Sequence, residues 1–148
     1  MVSHLPFSIS LAGAVAVQVA CQLFKVVLYS LRERRLALSY FLSAGGMPSS
    51  HSAFVTALTV SVGMGSGFSS DLFAVSCVFS VIIIYDAWRL RGAVEHHARI
   101  LTNLVARDPD LAAGAINVRI GHSPAQLAAG MAVGGAFAAL VQLAIRQL

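Results

Sequence analysis

A chain of 148 residues that is 57% hydrophobic and 11% charged, with a mean hydropathy of +0.79, has too little polar surface to cover a soluble domain of its size. Its net charge of +4 is no nucleic-acid signal, because no basic patch alternates with exposed aromatics. Cys21 and Cys77 lie inside apolar runs with neither metal-ligand nor redox spacing and read as small core residues; no cofactor is expected. The chain reads as an all-α, small integral membrane helical bundle, a single domain over residues 1–148 in contact with membrane lipids.

Roughly 20 apolar residues cross a hydrocarbon core, and four stretches come close: Phe7 to Leu31, Ser52 to Phe68, Leu72 to Trp88 and Ala125 to Ile145. The first has no basic residue before it and is expected to stay as a helix rather than be cleaved. Along it Gln18, Gln22, Lys25, Tyr29 and Arg32 recur at steps of four, three, four and three, so they share one face. Lipid cannot satisfy such groups, and the stripe is expected to look into the bundle. Leu36 to Ala44 is too short to span and is placed at the interface or as a re-entrant segment.

The most informative stretch follows, Gly45-Gly46-Met47-Pro48-Ser49-Ser50-His51-Ser52-Ala53. Pro48 stops any preceding helix, and Ser49 or Ser50 can cap the next one. His51 then lies on its first turn, where amides, hydroxyls and the positive end of the helix dipole favour an anion. Along this second helix Ser52, Thr56, Thr59 and Gly63 form a small, weakly polar line suited to close packing.

The third span is featureless until Asp86. Beyond Trp88, the residues Leu90, Val94, His97, Leu101 and Leu104 form an apolar stripe that predicts an interfacial amphipathic helix. Residues 106–121 hold Pro109, Gly114 and Gly121 and read as a loop. Gly121-His122-Ser123-Pro124 opens the last helix, with Ser123 as cap and Pro124 at its first position. His122 is thereby a second histidine at a helix start, and Gly130 and Gly134 follow on one helix face.

Sorted by these spans, nine of the ten basic residues fall on one side: Lys25, Arg32, Arg34, Arg35, Arg89, Arg91, Arg99, Arg107 and Arg119, with Arg146 opposite. The positive-inside rule makes that side cytoplasmic, or the stromal or matrix equivalent, and puts both termini opposite. Four short helices are few for a complete pocket, which points to a homodimer.

These residues resemble the divergent branch of the type-2 phosphatidic acid phosphatase superfamily, which includes bacterial acid phosphatases and vanadium-dependent haloperoxidases. The family's first motif is Lys, six residues, Arg-Pro; Lys25 and Arg32 match it, with Glu33 at the proline position. Pro48-Ser49-Ser50-His51 resembles Pro-Ser-Gly-His. The third motif, Ser-Arg, five residues, His, three residues, Asp, has two candidates. Arg91 and His97 have the spacing, but on a helix a six-residue step turns them about 120° apart. His122 has the helical half of the motif, with Gln126 where the Asp stands, and is the preferred nucleophile. Its arginine is then Arg91, assisted by Arg119; Asp86 and Arg91 also resemble an aspartate followed five residues later by arginine in the divergent branch.

The resemblance implies a metal-independent phosphatase or phosphotransferase that hydrolyses a lipid phosphate or pyrophosphate, prenyl or diacylglycerol, through a phosphohistidine. By position, His122 attacks phosphorus, His51 protonates the leaving alcohol, and Lys25, Arg32, Ser49, Ser50 and Arg91 hold the phosphoryl oxygens. Gln126 accepts a hydrogen bond without supplying charge, and Asp86 or Glu95 can substitute for the missing carboxylate. The rival is a catalytically weak or inactive membrane protein whose cationic pocket binds an anionic lipid headgroup or a partner.

Overall fold

The computed structural model describes residues 8–42, 45–107 and 121–147, and these form helices joined by short turns. The loop expected over residues 106–121 falls almost wholly outside the described residues, and so does Arg119. Helix α1 (Ile9–Glu33) begins at Ser8, whose Oγ accepts from the Leu11 amide, and ends where Arg34 takes a left-handed conformation. The chain then folds back through a 3₁₀ turn (Leu38–Phe41). Tyr40 stacks on Tyr29 with centroids 4.0 Å apart and donates its hydroxyl to Glu33 at 2.6 Å. Leu36, Leu38, Phe41 and Leu42 stay exposed, as suits a segment at the interface.

Helix α2 (Ser50–Ser66) packs against α1, α3 (Asp71–Tyr85) and α5 (Pro124–Arg146). At 17 residues it is shorter than α1 and α5 and, unlike α3, does not run on into a further helix. Among the described residues, three helical stretches are long and apolar enough to cross a membrane: Ile9–Glu33, Asp71–Val105 and Pro124–Arg146. The shared core is built of Ala14, Val17, Cys21, Ala53, Ala57 and Ala138. Residues this small suit a bundle in lipid, where helices associate through close van der Waals packing.

The closest approach is that of α2 to α5. A Cβ on Gly130 would collide with Ser52 Oγ and the Ser49 carbonyl oxygen, and one on Gly134 with the Ala53 carbonyl oxygen. Toward α3, Thr59 bonds to Ser76 and Ser80 at 2.9 and 2.6 Å, and Ser80 donates to the Val55 carbonyl at 3.1 Å. At the end of the bundle far from His51, Arg146 reaches the Met64 carbonyl at 2.5 Å.

The amphipathic segment beyond Trp88 is a helix, α4 (Arg91–Val105), but no break separates it from α3. The two are joined by a π turn over Asp86–Leu90, in which the Arg91 amide bonds the Asp86 carbonyl. A π turn adds a residue while keeping the hydrogen-bond ladder intact, so the apolar pattern shifts phase without a loop. The stripe of Leu90, Val94, Leu101 and Leu104 faces away from the bundle and is exposed.

The α2/α5 contact sets an expectation for stability. Gly134→Leu should lower the unfolding midpoint in a denaturant titration of the detergent-solubilised protein by the equivalent of about 2 kcal/mol or more. Gly65→Ala, at an exposed site with nothing within 4 Å of an added Cβ, should stay within about 0.5 kcal/mol.

Candidate functional site

The α2 and α5 helix starts are stapled to each other. Ser49 caps α2 by accepting from the Ser52 amide at 3.4 Å, and its own amide donates to the Gln126 carbonyl at 3.0 Å. Ser52 Oγ donates to the Leu127 carbonyl at 3.0 Å. Ser123 caps α5 in a capping box with Gln126, and Pro124 follows at the first helical position. With the two starts fixed this way, His51 and His122 face each other edge to face, ring centroids 6.0 Å apart.

His122 is 5% exposed, and its backbone amide donates to the Ala87 carbonyl at 3.3 Å. Its Nδ1 lies 3.3 Å from Gln126 Oε1, the same oxygen that accepts from the Ser123 amide at 3.0 Å. An amide nitrogen cannot accept from Ser123, so the capping box fixes which end of Gln126 meets the ring. Gln126 therefore accepts from Nδ1–H, and Nε2 carries the lone pair. Among the described residues that Nε2 has no hydrogen-bond partner, though buried, and the same holds for Nδ1 of His51.

Behind the imidazoles sits Lys25, fully buried. Its ammonium group donates to the Gly45 carbonyl and to Ser50 Oγ, each at 3.4 Å. Among the described residues no carboxylate pairs with it. A buried cation held only by long neutral contacts leaves a strong demand for negative charge. Gly46, with φ of 99°, lets the loop cross α1 closely: an added Cβ would lie 3.2 Å from the Tyr29 hydroxyl. Ser49 and Ser50 are fully buried beside this lysine.

Arg91 reaches the cluster through the π turn. Five residues span about 140° beyond one full turn of an α-helix, but one i→i+5 turn brings Asp86 and Arg91 onto one face. Arg91 Nε donates to Asp86 Oδ2 at 3.0 Å. The charges of Lys25, Arg91 and His51 all bear on His122, but burial is the larger influence. Together they push its pKa down to about 4, against the opposing pull of the Gln126 hydrogen bond.

Arg32 stands apart from this cluster. It is exposed, with its guanidinium 6.0 Å from the Tyr29 ring centroid, and it lines a groove of about 720 Å³ between α1 and α5. Arg32 lies two turns of α1, about 10 Å, beyond the buried Lys25. His97 also lies elsewhere, exposed on α4 beside His96, so His122 is the histidine brought to His51. Of the two carboxylates considered as substitutes, Asp86 is bonded to Arg91, and Glu95 accepts from Gly121 and Arg99. Neither occupies the Nδ1 side of His122. The anchoring of His122 by Ala87 and of Gly121 by Glu95 had no signal in the sequence, since both cross between distant segments. A polar groove of about 370 Å³, lined by Glu95, His96, Arg99, His122 and Gln126, opens beside the nucleophile candidate. Among the described residues no group of three or more His, Cys, Asp or Glu side chains is placed to hold a metal ion.

Fold and site together define an all-α membrane protein with two facing histidines beside a buried lysine at one end of its bundle. The chain belongs to the Divergent PAP2 family, which matches residues 8–137. It is similar to a protein of Bacillus subtilis (strain 168), "Uncharacterized membrane protein YuiD", with 40% identity over 105 residues. That match covers 71% of this chain and 64% of the relative, so the chain spans less than two thirds of the relative's length. No solved structure matches the chain.

The depressed pKa of His122 has a consequence for stability. In the unfolded chain the imidazole titrates near 6.5 and in the fold near 4, so the fold favours the neutral ring. Its full contribution is present above pH 6.5 and is lost as pH falls toward 4, by about 3 kcal/mol in total. Unfolding midpoints measured between pH 7.5 and 4 should show this loss in the wild type, and His122→Asn should flatten the profile by about that amount.

Proposed function

We propose that the protein is a membrane-embedded phosphatase or phosphotransferase acting on a lipid phosphate or pyrophosphate, prenyl or diacylglycerol, through a phosphohistidine. One observation carries the reading: two facing imidazoles, each with a buried nitrogen lacking a partner among the described residues, beside a fully buried lysine that no described carboxylate neutralises. Family membership supports it.

In this scheme His122 Nε2, held neutral by burial and oriented by Gln126, forms the bond to phosphorus. The bond from phosphorus to the lipid oxygen breaks, and His51 as imidazolium gives its proton to that oxygen. Water then attacks the phosphohistidine while His51 takes its proton, releasing inorganic phosphate and restoring both rings. Lys25, Arg91, Ser49 and Ser50 stabilise the negative charge on the transferring group from fixed positions in a site of low dielectric. Arg32, outside the cluster, meets the anionic end of the substrate from the groove between α1 and α5. The site is assigned to the cytoplasmic face, where the basic residues gather.

Gln126 favours a second reading, a non-catalytic protein whose pocket only binds an anionic headgroup. A carboxylate in that place would support the positive charge on the attacking imidazole, and a neutral amide does not. Phosphate release from a prenyl phosphate by the detergent-solubilised protein, in the presence of a chelator, decides between them. The enzyme reading expects release that falls at least about 10³-fold in His122→Ala and about 10²–10⁴-fold in His51→Ala. Binding of the same lipid without any turnover, undiminished in His122→Ala, would establish the binder. Among active variants, Arg32→Ala should raise KM about tenfold with little change in kcat, while Lys25→Ala should lower kcat.

A further inference from the structure

Among the described residues, two apolar recesses lie between neighbouring helices, and they differ in what closes them. The crevice of about 350 Å³ between α2 and α3 carries no charged residue among those lining it. The groove between α1 and α5 has apolar walls that include Phe24, Leu28, Ala129 and Val133, and it also takes in Arg32 and Gln126. From Ala20 to Arg32 it follows α1 for about 18 Å. Because α1 runs toward the site and α5 away from it, Arg32 and Gln126 mark the same end. Gln126 Oε1 is the atom that holds His122 Nδ1, so this wall of the groove is continuous with the support of the proposed nucleophile.

We infer that the α1/α5 groove takes the hydrocarbon chain of the lipid whose phosphate lies at His122, with Arg32 pairing with the phosphate end. This rests on the proposed phosphatase reading and adds to it a lateral route from the bilayer to the site. Any apolar groove in a membrane meets lipid, but charge and continuity select this one for a lipid phosphate. An apolar chain gains from the aliphatic and aromatic walls, an anionic head gains from the arginine at their end, and the phosphorus is led to the imidazoles. The polar groove beside His122, which also includes Gln126, leaves a separate path for water and released phosphate. The lipid therefore enters from the side, and the inorganic product leaves on the aqueous side.

Two measurements on the full-length protein in detergent test this. The first compares hydrolysis of hexadecyl phosphate and butyl phosphate by the wild type, Ala129→Trp and Val133→Trp. Filling the groove should raise the KM for the long chain, relative to that for the short one, by about tenfold or more; an unchanged ratio overturns the inference. The second uses hexadecyl phosphate carrying a photoreactive diazirine at mid-chain, with labelled residues mapped by mass spectrometry. Labels on Phe24, Leu28 and Val133, reduced by excess inorganic phosphate and by Arg32→Ala, are expected. Labels equally on Val75 and Phe79 of the α2/α3 crevice, or equal labelling by the phosphate-free hexadecanol analogue, overturn it. Labelling of the α1/α5 groove without hydrolysis of either ester would sustain the groove and defeat the phosphatase reading. Hydrolysis without groove labelling would do the reverse.

Discussion

The structure depends on how closely α2 is allowed to approach α5. In lipid there is no hydrophobic gain from pressing two apolar helices together, so the approach must come from shape and hydrogen bonds. Gly130 and Gly134 remove the side chains that would strike Ser49, Ser52 and Ala53. At that distance the Ser49 amide and the Ser52 hydroxyl reach carbonyls of the first turn of α5. Those carbonyls already accept within their own helix, so the extra bonds couple the two helix starts rather than merely satisfy them. Each start carries a histidine at a fixed offset from its cap, and the ring-to-ring geometry follows from the backbone contact. A bulkier residue on α5 would disturb the site without touching either imidazole.

Gln126 links this packing to the chemistry. Its side chain serves the α5 capping box and the His122 ring with one oxygen, so the requirement to cap a helix also selects an imidazole tautomer. A carboxylate there would do the same and add a charge. The difference is energetic rather than geometric: the amide orients a neutral ring as well as a carboxylate would, but leaves the cationic form without a counter-charge. Burial and the neighbouring positive charges already depress the pKa of His122, and the site accordingly keeps this histidine neutral and its Nε2 free.

Much of the architecture was legible because it is written in local chemistry. Ser49 after Pro48, Ser123 before Pro124, and glycines four apart on α5 each have a meaning within one helical turn, and each stands where that meaning puts it. The stripe of Gln22 and Lys25 on α1 also pointed inward, and Lys25 is fully buried. Arg32 belongs to the same periodic pattern but not to the same pocket. The fold-back of Tyr40 onto Tyr29 depends on a contact between segments, which periodicity cannot register. The join between α3 and α4 was hidden for a different reason. A π turn inserts one residue and shifts the apolar phase, and in a sequence that looks like the end of one helix and the start of another. The spacing of Asp86 and Arg91 was the one trace it left.

Among the described residues the charges around the two histidines do not balance: Lys25 is buried without a carboxylate, Asp86 is taken up by Arg91, and Glu95 by Arg99 and the Gly121 amide. A hydrophobic replacement at Lys25 would avoid the desolvation cost of a buried ammonium group, so fold stability alone gives no reason for a lysine there. In the proposed reaction the cost is offset by an anion placed beside the lysine, the arginine and the two imidazoles. A phosphate carries enough negative charge to neutralise Lys25 and to stabilise the imidazolium that forms when His122 attacks. On this view the substrate supplies the negative charge that Gln126 withholds. The same dependence explains how a site built on a neutral amide is compatible with the proposed chemistry: the missing carboxylate weakens support for the cation at His122, while the phosphoryl group, held in a basic, water-poor recess, supplies part of that support itself.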